Sequence, residues 1–173
     1  MVENVAGARP SGGGFWAAAR SWAVTIAIAV VVFAVFTSLV GGPLASGEAV
    51  TFTGQDENGV VIDAANLRGK PVVLYVFATW CQACSLTTPT VDSFAERHPE
   101  LAVVAVAADD PETVRSALKA DPRAFRTVVD GTAIAAQLGV RAFPTTIVLD
   151  AAGKVTWNRQ GVLLPGELDL RTL

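Results

Sequence analysis

The chain has 173 residues, 51% hydrophobic and 17% charged, with a formal net charge of −3. That length suits one ordinary domain, the charge is low against about 25% for soluble domains, and its sign leaves no basic footprint for nucleic acid. Two cysteines and one histidine exclude a framework of several disulfides and a multi-ligand Cys/His zinc site.

The hydrophobic excess is local. No charged residue occurs from Ser21 to Gly47, and within Trp22–Val40 only Thr25, Thr37 and Ser38 are not apolar. A helix over 22–40 would rise about 28 Å at 1.5 Å per residue, close to the hydrocarbon thickness of a bilayer. No polar face interrupts it, so the stretch reads as a transmembrane anchor. Arg9 and Arg20 precede it, and Gly41-Gly42-Pro43, Glu48, Asp56 and Glu57 follow. Basic flanks stay inside, so residues 1–21 form a cytoplasmic segment and the rest is extracytoplasmic, on the periplasmic side. Trp16 and Trp22 stand where interfacial aromatics belong. The alternative is a cleaved leader ending at Ala45-Ser46-Gly47, but the apolar run exceeds the usual 7–15 residues.

Residues 41–48 read as a linker and 49–173 as one domain. Ala49 to Thr53 and Val60 to Asp63 are short strands around Asp56-Glu57-Asn58-Gly59, which has hairpin-turn chemistry. Pro71 to Phe77 is a continuous apolar run, as a strand covered on both faces requires. A helix follows over Gln82 to Arg97, interrupted by Pro89. Leu101 to Ala107 is a second buried strand, and Pro111 to Lys119 a helix capped by Asp109 or Asp110. Arg126 to Val129 is a short strand and Gly131 to Leu138 a short helix closed by Gly139. Thr145 to Asp150 and Lys154 to Asn158 form a hairpin, and Glu167 to Leu173 a final helical turn. Strands alternating with helices predict an α/β fold with a largely parallel core sheet and an antiparallel edge hairpin.

The chemistry concentrates at Trp80-Cys81-Gln82-Ala83-Cys84, which leaves the buried strand and opens a helix. Two cysteines three apart on a first helical turn close a disulfide at little geometric cost. Cys81, nearer the helix N-terminus, is favoured as a thiolate by the free N–H groups and the macrodipole. Cys84 lies one turn inside. This asymmetry suits a pair in which Cys81 exchanges disulfides and Cys84 resolves the mixed species. A plain structural disulfide would close a four-residue loop and gain little. Half a zinc site would need two more ligands where only His98 is at hand. Phe143-Pro144-Thr145 enters a strand from a loop, where Pro144 is a candidate cis proline.

Taken together, FATWCQAC after a strand, Pro89 in the following helix, and GVRAFPTTIVLDAAGKV resemble the thioredoxin superfamily. More narrowly the chain resembles the membrane-anchored TlpA/ResA/DsbE-like group, whose N-terminal hairpin matches TFTGQDENGVVIDAANLRGK. CQACSLTTPTV also resembles the copper-sensitivity-suppressor type of tethered oxidoreductase. The resemblance implies a thioredoxin fold with an N-terminal β-hairpin extension, behind one transmembrane helix. It implies Cys81 as nucleophile, Cys84 as resolving cysteine, Trp80 as the aromatic covering the pair, and Pro144 as the cis proline packed against it. Phe143 would offer backbone hydrogen bonds to an extended substrate, with Thr145 completing the motif. The redox group is the Cys81–Cys84 pair itself, with no metal and no further cofactor.

One departure stands out: thioredoxin carries a buried Asp six residues before the first cysteine, and Tyr75 stands there. The Gln82-Ala83 pair carries no cation to stabilise a thiolate, so an intermediate to reducing potential is expected, and the resemblance implies the reducing direction. The expected function is a membrane-tethered thiol-disulfide oxidoreductase acting on exported cysteine-containing proteins, with a membrane protein as electron donor or acceptor. Its setting would be cytochrome c maturation, or copper-protein and stress-related thiol maintenance. The alternatives are a disulfide-donating oxidase of the same fold and a Sco-like copper chaperone, although that class spaces its cysteines C-x-x-x-C. Glu96, Arg97, Glu100, Asp109 and Asp110 read as solvated faces and caps, Arg141 as a surface arginine and Trp157 as packing.

Overall fold

The computed structural model describes residues 22, 24–32 and 44–172. The chain divides into two units, Met1–Gly41 and Gly42–Leu173. In the first, residues 24–32 are helical with their apolar side chains exposed. Among the described residues no helix is long and apolar enough to cross a membrane. The remainder of the expected 22–40 span lies outside the described residues, as do its flanks at Arg9, Trp16, Arg20 and Gly41-Gly42-Pro43.

The second unit is built on two sheets. β1 (Thr53–Gln55) and β2 (Val61–Asp63) form an antiparallel hairpin, with Thr53 opposite Asp63. Gly59 closes its turn at φ 79°, a conformation glycine adopts without Cβ strain. The buried Asp56 carboxylate accepts from the N–H groups of Asn58 and Val60 and from Arg126 at 2.8 Å. Burial works to raise its pKa, but the bonds from Arg126 and the two amides outweigh it and hold the carboxyl below its ordinary value. Ala49 makes only an isolated bridge, to Lys154, so the first strand begins at Thr53 rather than Ala49. A 3-10 turn at Ala64–Leu67 leads on.

The main sheet comprises β3 (Val72–Phe77), β4 (Ala102–Ala107), β5 (Arg126–Val128), β6 (Thr145–Leu149) and β7 (Val155–Gln160), in the order β5-β4-β3-β6-β7. β3–β4 and β4–β5 are parallel, whereas β3–β6 and β6–β7 are antiparallel. The sheet is therefore evenly mixed, not largely parallel. The hairpin expected at the edge inserts its first strand directly beside β3. A hydrophobic run dictates burial on two faces but carries no information about the direction of its neighbour.

β3 feeds both cores. Val72, Leu74 and Val76 pack with Phe52, Ile62, Val104, Ile134 and Leu138. Val73 and Tyr75 point the other way, against Val91, Phe94 and Ala95 of helix α1 (Gln82–Arg97) and against Phe125, Leu163 and Leu168. Each fully buried side chain of this kind contributes about 1.5–3 kcal/mol relative to exposure. Helix α2 (Pro111–Ala120) starts on the Asp110 carboxylate, which accepts from Thr113 N–H, with proline in its first turn. Helix α3 spans Thr132–Gln137, and helix α4, Asp169–Thr172, ends the described chain. Residues preceding the expected domain start also dock here: Leu44 packs on the first core, its carbonyl accepts from Asn158, and Gly47 N–H donates to Val155.

Candidate active site

β3 ends at Phe77, and the chain crosses to α1 through Ala78-Thr79-Trp80-Cys81. Cys81 is the N-cap residue of α1. Its Sγ accepts from the Cys84 N–H at 3.3 Å, and its carbonyl accepts from the Cys84 and Ser85 amides. A sulfur in this place meets the positive end of the helix. Cys81 is half-buried, whereas Cys84 is 2% exposed, and both are free thiols. Burial is the largest influence on Cys84 and pushes its thiol up to about 12, with the Cys81 thiol raising it further. The Ala78 backbone and the Tyr75 hydroxyl act in the opposite sense. One cysteine thus faces the solvent at a helix terminus while its partner is held protonated behind it.

The second motif reaches the same place. The Phe143–Pro144 bond is cis. Thr145 opens β6 fully buried, with its hydroxyl donating to Ala142 O at 2.7 Å, and the Pro144 carbonyl accepts from Gly161 N–H at 2.8 Å. The Phe143 ring meets the Trp80 ring edge-on at 5.9 Å. Trp80 is 70% exposed. The Trp80–Phe143 contact therefore joins the two motifs, with Trp80 standing beside the cysteine pair as an open wall. Beside the pair, a cleft of about 420 Å³ is lined by Phe77, Cys81, Cys84, Thr88 and Phe125 among others.

The roles of two residues at this site escaped the sequence reading. Asp109, expected to be a solvated face or cap, instead accepts from the N–H of Thr79 at 3.1 Å and from its hydroxyl. Burial works to raise its pKa, but the bonds from Thr79 and from the Asp110 N–H prevail and lower it. The parallel register pairs Phe77 with Ala107. Two residues further on, that register sets Thr79 beside Asp109. Only the strand pairing carries the signal. The other is Tyr75. It is fully buried, and its hydroxyl bonds the Cys84 carbonyl at 3.2 Å and Thr88 Oγ1 at 3.0 Å.

Other sequence candidates lie elsewhere. His98, past the far end of α1, bonds Glu100 through Nδ1 at 3.1 Å and Asp169 through Nε2 at 2.9 Å. Arg97 also reaches Asp169. Trp157 is half-buried under the Arg171 guanidinium, 5.5 Å from the ring centre. Arg141 is exposed. Among the described residues no group of three or more His, Cys, Asp or Glu side chains is placed to hold a metal.

The pattern of the Redoxin family matches residues 45–172. The chain belongs to the Redoxin family. Among its relatives is the thiol-disulfide oxidoreductase ResA of Bacillus cereus, 32% identical over 112 residues, which are 62% of this chain and 65% of that protein. The match thus spans just under two thirds of that relative. Its fold is shared with a thiol:disulfide interchange protein DsbE from Chlorobium tepidum (TM-score 0.66, 24% identity, 73% of this chain and 93% of that one). It is also shared with a secreted Mycobacterium tuberculosis disulfide oxidoreductase homologous to E. coli DsbE (TM-score 0.62, 25% identity, 70% and 93%). The expected thioredoxin-like α/β fold and the likeness to the ResA/DsbE group both hold.

Proposed function

We propose that this protein is a thiol-disulfide oxidoreductase whose working group is the Cys81–Cys84 pair. The observation that carries this reading is the asymmetry of the pair: a half-buried sulfur at a helix N-terminus, backed one turn inside by a buried thiol raised to about 12. The Cys81 thiolate attacks a substrate disulfide, forming a mixed disulfide and expelling one substrate thiolate. Cys84 then loses its proton and attacks the Cys81 sulfur. The Cys81–Cys84 bond forms, the second substrate thiolate leaves, and two electrons have passed to the substrate. Trp80 and Phe143 wall the approach, and the Phe143 backbone beside Pro144 receives an extended cysteine-bearing segment.

The direction we propose is reducing. A stabilised thiolate pair makes an oxidant, whereas burial here penalises the Cys84 thiolate and no cation lies between the cysteines. The substrates we propose are exported cysteine-containing proteins in cytochrome c maturation or copper-protein and stress-related thiol maintenance, with electrons supplied by a membrane protein. The charge-free run through 22–40 supports tethering with the catalytic unit extracytoplasmic; release of the chain from membranes by a carbonate wash would refute the tether.

The deciding experiment is a redox titration of the full chain in detergent, alongside Cys81→Ser and Cys84→Ser. A potential below about −220 mV supports the reductant, and one near about −120 mV the oxidant. Cys84→Ser is expected to accumulate mixed disulfides with its substrates. Disulfide reduction by Cys81→Ser at the wild-type rate would remove the assignment of the nucleophile.

A further inference from the structure

Tyr75 is a buried ionisable group for which the exchange chemistry above has no use. Its ring is fixed on two sides, stacked on Phe77 at 5.3 Å and edge-on to Phe125 at 6.3 Å. The hydroxyl is thereby held against the turn of α1 that carries the inner sulfur. Thr88 Oγ1 already donates to the Cys84 carbonyl at 2.8 Å. The phenol's own bond to that carbonyl, at 3.2 Å, is the longer of the two. When the phenol proton turns from that carbonyl towards the sulfur, the Thr88 hydroxyl, 3.0 Å from the phenol oxygen, can turn from the carbonyl to donate to it. Two further facts agree with this. Burial dominates and raises both pKa values; within that, the phenol acts to lower the Cys84 thiol and contact with Cys84 acts to raise the phenol, as expected of a donor facing a thiolate acceptor. Thr88 and Cys84 also share the cleft wall, which gives the departing Cys84 proton a route to solvent.

We propose that Tyr75 is a positioning residue for resolution: its hydroxyl donates a hydrogen bond to the Cys84 sulfur as that thiol becomes a thiolate and attacks Cys81. This rests on the reading of Cys81 as nucleophile and Cys84 as resolving cysteine. A neutral donor stabilises the thiolate here; unlike a buried carboxylate base it does not take the Cys84 proton, which leaves to solvent.

The reduced full chain is mixed with dithiobis-nitrobenzoate. Cys81 displaces one thionitrobenzoate in a phase that scales with reagent. Cys84 then gives up its proton to solvent and attacks Cys81, closing the protein disulfide and expelling the second thionitrobenzoate in a phase independent of reagent. Two protein thiols are oxidised and one aromatic disulfide becomes two thiolates. Tyr75→Phe keeps the ring and is expected to slow the second phase roughly 10- to 100-fold, the range for a hydrogen bond to a charged group, with the first phase unchanged. Thr88→Val, which frees the phenol from its partner, is expected to slow the same phase by less. The ratio of the two phases is the readout, because a loosened fold would not change it selectively. Second-phase rates within twofold of wild type in Tyr75→Phe, or equal slowing of both phases, overturn the proposal. A fast first phase surviving in Cys81→Ser, or a second release in Cys84→Ser, overturns the assignment of the pair itself, and this inference with it.

Discussion

Replacing Asp109 by alanine removes the acceptor that holds Thr79, one residue before Trp80 and two before Cys81. Three bonds are lost: from the Thr79 amide at 3.1 Å, from its hydroxyl, and from the Asp110 amide at 2.9 Å. A hydrogen bond contributes about 0.5–1.5 kcal/mol net, more to a charged acceptor, and these are partly open to water, which replaces some of the loss. The total is about 1.5–3 kcal/mol, read as a lowered urea midpoint at neutral pH with an unchanged slope. Asp109→Asn, which keeps one acceptor oxygen, is expected to lose about half as much. The lowered pKa gives the effect a pH signature. The contribution is complete above the ordinary carboxyl value of 3.8 and is lost as the pH falls through the lower folded value. Wild type and Asp109→Ala should therefore converge in strong acid. A deficit below about 0.5 kcal/mol at neutral pH, or one that persists undiminished in acid, would refute the reasoning.

The remaining predictions concern α3 and the C-terminal helix. Gly131 caps α3 at an ordinary φ of −79°, but an added Cβ would lie 2.7 Å from the Ala107 carbonyl and 2.5 Å from Val106. Gly131→Ala is expected to cost about 2–3 kcal/mol through overpacking against backbone; a wild-type unfolding midpoint would show that the loop shifts freely. The bonds to Asp169 and then Glu100 raise the His98 pKa above 6.5, and its bonds to His98 and Arg97 lower Asp169 below 3.8. The His98 contribution is complete below 6.5 and lost as the pH rises through its higher folded value, and that of Asp169 is lost in acid. His98→Ala is expected to destabilise more at about pH 5 than at about pH 9, and urea midpoints with no such difference would refute the pairing.

How far the sequence reveals this molecule depends on the range of the interactions. Elements defined by local pattern are found nearly to the residue. Gln82–Arg97 has the bounds expected but runs through Pro89 without the expected interruption, and Val72–Phe77 is the strand implied by its unbroken apolar run. The cysteine pair and the Phe143-Pro144-Thr145 motif were legible because their chemistry is written in consecutive residues. What depends on partners far apart in the chain was not. The insertion of β6 beside β3 follows from which edge the chain returns to, and nothing in TTIVL specifies that. Asp109 reads as a cap beside Pro111 because its bond to Thr79 crosses 30 residues. Tyr75 was visible as a departure from thioredoxin, but its partners, Cys84 and Thr88, come together only once α1 lies over β3.

The position of Cys81 is then set from two sides. Thr79 is tied to the end of β4 by Asp109, and Trp80 leans on Phe143 at the entry to β6. Those two strands are the neighbours of β3 on either side. The loop bearing the half-buried Cys81 sulfur is thus braced by polar bonds on the parallel side and by an aromatic contact on the antiparallel side. The two braces differ in what they resist. Aromatic contacts hold about 0.5–1.5 kcal/mol beyond area burial and slide with little penalty, so Trp80, 70% exposed, can yield to an incoming chain. The bonds of Thr79 to a carboxylate are directional and do not slide. Under the proposed function, a substrate entering beside Pro144 would displace the tryptophan while the helix N-terminus beneath Cys81 stays fixed. On that proposal, the site would accept varied segments without moving the sulfur proposed to react with them.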